Sequence, residues 1–596
     1  MSTNRAFRVL VLHLDENKSQ VRHFSDKTRW LGGSGLAAAL YQEYGLPEVS
    51  WSHPDQPLIF AIGCLTGYFP LMSKVVCGFK SPYHDQYAES HAGGRLALAM
   101  RFADYDAIVI RGRAEHPVAV QVANRAIEFE NVNFLWGTNV FTAGRVLRRT
   151  FPGGSGHRSN IRIGPAGETL SSYACINVDT FRHFGRLGSG SVMGIKNLKA
   201  LNVVGDGNLD LPSDARGYTK LFKRVYEKMT STDMMSKYHD LGTPQNLIPL
   251  NELKSLPWEN LQKTHDERVS GISGEKFAEE LLMRNTACAG CPVGCIHVGM
   301  LREMFQEGYR FQLRQVGYDY EPIFAVGSML GVTDASDVLA IMDEVEKQGV
   351  DVMSAGVALA WATEAFQKGL VSEEQTEVPL AFGDAENYKE AIWLLGHAKG
   401  EFYERLAKGA MVAAQHYGGE DFACVLGQEM AGYATGEVFF AAQSMSFRHS
   451  HLDVGAYGFD QKNQEQDVDK AVNFLVDDEA DRCILTSLVS CLFARGVYKP
   501  DLLAECFTAM DLPELAESMG EAGRNIQRLR WKTRADTGYD PSQTKVPKRF
   551  LEVETWKGKQ DPEYLEALRQ SYGREINRLA KEGADVWQRL EKSEKE

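Results

Sequence analysis

The 596-residue chain has no apolar run approaching the ~18 residues needed to span a bilayer. Its opening MSTNRAFRVLVLHLDENKSQ holds an apolar run of only about four residues before His13 and Asp15, too short for a secretory leader. Basic residues form no block, and 65 Lys/Arg against 79 Asp/Glu leave a net charge of −14, which excludes a general electrostatic grip on nucleic acid. No GxGxxG fingerprint, internal repeat or low-complexity tract is legible. A cytoplasmic location is expected. Cysteine is scarce, ten residues in all, and disulfides are rare in that compartment, so any clustering of thiols points to metal or redox chemistry.

What is present is a globular composition, 44% hydrophobic, in a chain long enough for about three or four domains. Residues 1 to about 205 carry short Val/Ile runs broken by glycine (FRVLVLHL, PLIFAIGCLTG, YDAIVIRGRA, PVAVQVANRAIEFE, ALNVVGDG) and read as strands. From about 210, apolar residues recur three and four apart, as in DVLAIMDEVEKQ, VALAWATEAFQKGL and EAIWLLGHAKGEFYERLAKGAMVAAQHYGG, with Asp334 as N-cap of the first. The stretch at 204–214, VGDGNLDLPSD, reads as a linker, and the charged tail from Asp561 as a solvated surface helix. The expected fold class is α+β: a β-rich N-terminal domain over 1–208, then two mainly α-helical domains over 209–418 and 419–596.

Three of the ten cysteines gather as Cys288, Cys291 and Cys295 in TACAGCPVGCIH, a CxxCxxxC spacing that lets one loop present three thiolates to one inorganic centre. A fourth ligand has two candidates. With His297 the site is a structural zinc; with Cys491, from LTSLVSCLFARGVY, it is an iron-sulfur cubane. The remaining cysteines, such as Cys64 and Cys424, read as small buried hydrophobes.

Two glycine-rich stretches lie in the β-rich part. SHAGGRLALAM places Gly93, Gly94 and Arg95 before a helix, and FRHFGRLGSGSVMGIKNLKAL places Gly185, Gly188 and Gly190 among Arg182, Arg186, Lys196 and Lys199. Glycine admits an anion close to the backbone, and helix-terminal amides with arginines bind it. Each stretch alone is a tight turn; a pair of them flanked by basic residues points to a phosphorylated ligand. WLGGSGLAAAL is explained by close helix packing.

Taken in order, WLGGSGLAAAL, AIGCLTGYFP, AGGRLALAMRFADYDAIVIRGRAEHPV, IGPAGE, GRLGSGSVMGIKNLKAL, CAGCPVGC and SLVSCLF resemble the tungsten-dependent aldehyde:ferredoxin oxidoreductase family over about residues 5–500. The resemblance implies tungsten or molybdenum held by two pyranopterins, with a [4Fe-4S] cluster nearby. It makes 1–208 the pterin-binding domain and selects Cys288, Cys291, Cys295 and Cys491 as cluster ligands. Carried over residue by residue, Gly93, Gly94, Arg182, His183, Gly185 and Arg186 correspond to pterin contacts, and Lys74 stands where the family usually has arginine. His91 replaces an asparagine that helps a magnesium ion bridge the two phosphates, which puts the magnesium in doubt. Of two pterin loops of pattern DxxGL(C/D), the first appears as Glu346–Asp351, EKQGVD, with Val350 and Asp351 as contacts. The second, Thr486–Cys491, TSLVSC, followed by Leu492, has lost the aspartate and the glycine.

By the same resemblance, GYDYEPIFAVGS supplies Glu321, and MSFRHSHLDVGAY supplies an active-site histidine, His451 or its neighbour His449, for proton transfer and carbonyl polarisation. Phe439, Phe440 and Met445 are candidates for an apolar substrate wall, with plain core as the alternative. The implied activity is oxidation of a small-molecule aldehyde, with electrons passed to ferredoxin or a ferredoxin-like iron-sulfur subunit; assembly is as a homodimer or a hetero-oligomer. The alternatives are a related low-potential reductase acting on an acyl thioester or aromatic ring, and a non-catalytic iron-sulfur electron-transfer subunit.

Overall fold

The computed structural model describes residues 6–123, 126–151, 157–306, 308 and 310–595. β1 (Ala6–His13), β2 (Lys18–Asp26), β3 (Leu58–Ala61), β4 (Val75–Lys80), β5 (Tyr87–Ala92) and β6 (Ala107–Arg111) form a six-stranded sheet in the order β2-β1-β6-β3-β4-β5. β7 (Val118–Ala123), β8 (Ile127–Asn131), β9 (His157–Arg162), β10 (Ile176–Val178), β11 (Arg182–Phe184) and β12 (Leu198–Gly205) form a second, in the order β11-β10-β9-β12-β7-β8. Each sheet has one parallel pair, β1 with β6 and β7 with β12; the other neighbours are antiparallel.

The second sheet therefore repeats the first strand for strand, β7 to β12 in the places of β1 to β6. Helices recur at matching points: Gly33–Tyr44 and Val140–Thr150 after the second strand of each set, Leu96–Phe102 and Ser189–Ile195 before the last. This corrects the expectation of no internal repeat. The duplication is invisible in sequence because sheet packing requires only apolar residues at alternating positions, which many sequences satisfy.

β1 shows why its run reads as nearly continuous apolar residues. Leu10 and Leu12 enter a core shared by the two sheets, where the rings of Phe60 and Phe184 lie 5.5 Å apart, while Phe7, Val9 and Val11 face the helical part. Successive strand residues point to opposite faces, and here both are buried.

Beyond the linker the chain is mostly helical, and Asp334 caps the Ala335–Gln348 helix by accepting from the backbone N–H of Ser336 and Asp337. Two expectations fail. A three-stranded antiparallel sheet, β13 (Leu282–Thr286), β14 (Ile296–Gln306) and β15 (Arg310–Tyr318), interrupts the helical part and carries the cysteine loop between its first two strands. The C-terminal helix Pro562–Lys595 is not simply a solvated surface element: Leu565, Leu568, Tyr572, Ile576 and Leu579 are buried in the main core, a three-four stripe hidden among the charges. Among the described residues, no single helix is long and apolar enough to cross a membrane.

Candidate functional site

A cavity of about 490 Å³ opens where the sheets meet the helical part. Its wall contains all four selected cysteines, with Lys74, His91, Gly93, Arg182, His183, Gly185, Arg186, Glu321, Glu346, Val350, Asp351, His451, Thr486 and Leu492. Gly94 and His449 do not line it.

Cys288, Cys291 and Cys295 reach the wall from the β13–β14 loop. Cys491 comes from the turn after the Val468–Ser487 helix rather than from the helix itself. The segment before β4 joins the two loops. Leu71 accepts from the backbone N–H of Cys491 at 2.9 Å and donates to the carbonyl of Gly290 at 3.1 Å. These four cysteines are half-buried and the other six are buried, as small hydrophobes would be. Burial pushes the thiols of Cys291 and Cys295 up to about 12, with the charges of their neighbouring cysteines adding to the rise. Burial acts on Cys288 in the same direction, but Arg182 and Lys74 outweigh it and hold that thiol below its ordinary value. Arg182 also donates to Cys295 Sγ at 3.9 Å.

His297 cannot join them. It follows Ile296 on β14 and therefore takes the opposite face; its Nε2 contacts the carbonyls of His239 and Asp240 at 3.1 and 2.9 Å, and must be the protonated nitrogen. Among the described residues, no three His, Cys, Asp or Glu side chains converge on a single-ion site. The four thiols border a common void instead.

The two glycine-rich stretches meet the same cavity. A Cβ on Gly93 would lie 2.6 Å from Cys288 Sγ, so only glycine keeps that contact open. Arg186 is half-buried: its Nη2 donates to the carbonyl of Glu429 and to Ser354 Oγ, whereas Nε and Nη1 are buried without hydrogen-bond partners, although Asp351 lies 3.4 Å from Nε. Lys196 and Lys199 serve elsewhere: one donates to the carbonyl of Pro54, and the other forms a buried ion pair with Glu168. The basic flank read from sequence thus reduces at the cavity to Arg182 and Arg186.

The two loops read as EKQGVD and TSLVSC occupy matching places. Val350 bridges Ala174 ahead of β10, and Ser490 bridges Met72 ahead of β4, both antiparallel. Gly349 turns the first loop at φ 70°, and Val489 turns the second at φ 51°. The second loop keeps the shape after losing the glycine, at a strain cost of about 1–2 kcal/mol for a side chain in the left-handed region. At Gly349 a Cβ would also meet the backbone N of Gly164 at 2.9 Å. Gly349→Ala is expected to destabilise the fold by about 1–2 kcal/mol or more; an unchanged urea midpoint would refute the assignment of strain there. Glu346 accepts from Asn177 at 3.0 Å and pairs with His183 at 2.9 Å, whereas Thr486 makes only a 3.4 Å contact to the carbonyl of Cys483.

Across the cavity, Glu321 lies in the first turn of the Tyr320–Val326 helix. One carboxyl oxygen accepts from Gly432 N–H at 3.0 Å, and the other lies 3.3 Å from His451 Nε2. Burial raises the Glu321 carboxyl to about 8, and burial together with Arg186, Arg482 and Arg448 lowers the His451 imidazole to about 3. Near neutral pH both groups are therefore predominantly uncharged, and the Glu321 oxygen that faces His451 is buried without a hydrogen-bond partner. His451 Nδ1 is buried without a hydrogen-bond partner. His449, two residues earlier, turns away to Arg534 and the carbonyl of Gln443.

Phe439, Phe440 and Met445 belong to the core, at most 1% exposed, and do not border the cavity. The aromatic wall beside His451 comes instead from Tyr433 and Tyr457, stacked 4.8 Å apart, with Tyr433 5.2 Å from the His451 ring. Sequence reading missed them, and it missed Arg448, which is paired with Asp453 beside the cavity. Arg448 stands directly before His449 in MSFRHSHLDVGAY and could have been noticed; the tyrosines come from separate segments with no shared spacing.

The model of the aldehyde ferredoxin oxidoreductase N-terminal domain matches residues 9–205, and that of domains 2 and 3 of the same enzymes matches residues 220–577. The chain is 28% identical to the tungsten-containing aldehyde ferredoxin oxidoreductase of Pyrococcus furiosus over 91% of each chain, and 30% identical to that of Pyrococcus abyssi over 72% of this chain and 70% of the other. Its fold is similar to the active-site complex BamBC of benzoyl coenzyme A reductase in complex with 1,5-dienoyl-CoA. That match has a TM-score of 0.81 at 19% identity, covering 98% of this chain and 99% of that one. With both family models together spanning most of its length, the chain is an oxidoreductase that belongs to the aldehyde ferredoxin oxidoreductase family.

Proposed function

We propose that the chain oxidises aldehydes to carboxylic acids with tungsten, or molybdenum, held by two pyranopterins, and passes the electrons through a [4Fe-4S] cluster to a ferredoxin or ferredoxin-like subunit. The observation that carries this is the single cavity in which four half-buried thiols, an arginine with unpaired buried donors and the Glu321–His451 pair meet. The donor set suits the groups. Thiols around a common void match a cluster that takes one thiolate per iron. The glycine-walled contact at Gly93 and the unpaired donors of Arg186 suit a phosphate approaching the backbone. Arg182, Arg186, Lys74 and the 346–351 and 486–491 loops would hold the pterins, and neutral His91 offers a hydrogen bond rather than a charge. Burial and Arg448 lower its imidazole to about 4 against the opposing pull of Glu89.

When bound, the metal dithiolene centre accepts the two electrons released as the carbonyl carbon gains oxygen. One aldehyde and one water give one carboxylate, three protons and two electrons. The protein moves the protons. Glu321, protonated near neutral pH, donates to the carbonyl oxygen and increases the electrophilicity of its carbon. His451, neutral over the same range, accepts a hydrogen bond from the attacking water and orients it. Tyr433 and Tyr457 wall the cavity beside His451 and limit access of further water.

The test is anaerobic purification followed by metal analysis and aldehyde-dependent reduction of benzyl viologen. About one tungsten or molybdenum per chain with aldehyde-dependent turnover is expected. Metal-replete protein inactive with aldehydes but able to oxidise reduced viologen with an acyl thioester or aromatic acid would replace this function by the reductase.

A further inference from the structure

A second cavity, about 370 Å³, borders the cysteine loop at Gly290, Cys291 and Pro292. The two share Ser73 and Cys291 as wall residues. Cys291 is thus the thiol that separates the inner cavity from this outer cleft. The remaining wall is mostly apolar: Phe69, Pro70, Leu98, Pro292, and Phe222 and Tyr226 one turn apart on the Ala215–Thr230 helix. Tyr226 is 45% exposed, so the cleft reaches the surface.

The helix that supplies its rim runs against the charge of the protein. ARGYTKLFKRVYEKMT carries five Lys/Arg residues against one Glu, in a chain whose net charge is −14. Arg216, Lys220, Lys223, Arg224 and Lys228 are all exposed; Arg224 pairs with Glu505. The buried side of the helix anchors it: Leu221, Val225 and Met229 enter the core, and Tyr218 donates to the carbonyl of Tyr68 at 2.7 Å. The basic face is free to meet a partner without loss of the helix. An apolar, partly aromatic cleft with a charged rim has the composition of a protein interface, and the sign of the rim selects an acidic partner.

We propose that this cleft and the basic face of the Ala215–Thr230 helix form the docking surface for an acidic iron-sulfur electron carrier. The proposal rests on the functional reading above, in which Cys291 holds a cluster. Two electrons leave per aldehyde. Each passes singly from the cluster to one oxidised cluster of the carrier, so two carrier clusters are reduced and no other co-reactant is needed. The rim charges steer the encounter, and the cleft seats an apolar residue of the carrier beside the Cys291 edge.

The experiment compares wild type with Lys220→Glu/Lys223→Glu/Lys228→Glu, with Tyr226→Ala, and with a charge-matched control, Arg145→Glu/Arg148→Glu/Arg149→Glu. The control lies on the exposed basic face of the Val140–Thr150 helix, which lines neither cavity. The probe is an acidic two-[4Fe-4S] ferredoxin, with binding followed by surface plasmon resonance and turnover by ferredoxin reduction; benzyl viologen reduction reports turnover without docking. The lysine triple should weaken ferredoxin binding and raise its KM by about ten-fold or more at low salt, with the difference shrinking as salt rises. Tyr226→Ala should raise KM as well. Viologen rates and iron content should not move in either. Wild type that does not bind the ferredoxin, a lysine triple that binds it normally, or an equal loss in the control would overturn the docking surface. Binding that is lost in the lysine triple, in a wild type that shows no aldehyde-dependent viologen reduction, would leave the surface standing and remove the aldehyde function.

Discussion

Glu321→Gln is expected to lower aldehyde-dependent turnover by about 100-fold or more, the scale on which a positioned acid or base contributes, with tungsten, iron and pterin content unchanged. Glutamine fills the same space and can still meet Gly432 and His451, but it has no proton to give. The pH profile separates this from mere loss of shape. Burial raises the Glu321 carboxyl to about 8, so the acid form is the ground form below that pH and is lost as pH rises through it. Wild-type kcat should therefore fall on an alkaline limb near 8, and that limb should be absent from the residual activity of the variant. His451→Ala should cost about as much, since misplacing the attacking water costs on the same scale, whereas His449→Ala should show its effect in stability, because His449 contacts Arg534 and the carbonyl of Gln443 rather than the cavity. Near-normal turnover in both Glu321→Gln and His451→Ala would move the chemistry elsewhere.

Cys491→Ser is expected to abolish or distort the iron-sulfur centre, taking iron well below the about four per chain of a cubane, and to eliminate electron delivery to any carrier. A serine hydroxyl ionises far less readily than a thiol and binds iron weakly. His297→Ala should leave iron intact, since its imidazole is occupied by two backbone carbonyls on the opposite face of β14. Iron and zinc analysis with the visible spectrum decides. Loss of metal in His297→Ala with retention in Cys491→Ser would identify a zinc site and remove the cluster.

Much of the chemistry was written locally. CxxCxxxC places three thiols together because residues of one loop need no tertiary folding to become neighbours, and the six solitary cysteines could be read as core because their surroundings are apolar. The strands of the first 205 residues were legible because strands buried on both faces demand unbroken Val/Ile runs. The sheet at 282–318 and the buried stripe of the C-terminal helix were not. Mixed polar and apolar residues there are compatible with several periods, and which face is covered depends on what packs against it.

By itself the sequence determined the α+β class, the absence of a long apolar span, the cysteine loop, the glycine-rich turns and the family pattern. Tertiary structure decided which distant groups meet: Cys491 with the loop at 288–295, Glu321 with His451 rather than His449, Arg186 but not Lys196 or Lys199 at the cavity, and Tyr433 with Tyr457 as its wall in place of Phe439 and Phe440. It also decided the charge states, for the shifts at Glu321 and His451 come from burial, which no residue carries in its own neighbourhood of sequence. The physical reason is common to all of these. Spacing fixes what lies within one loop or one helical turn, whereas contacts across a hundred residues exist only once sheets and helices have packed and excluded water.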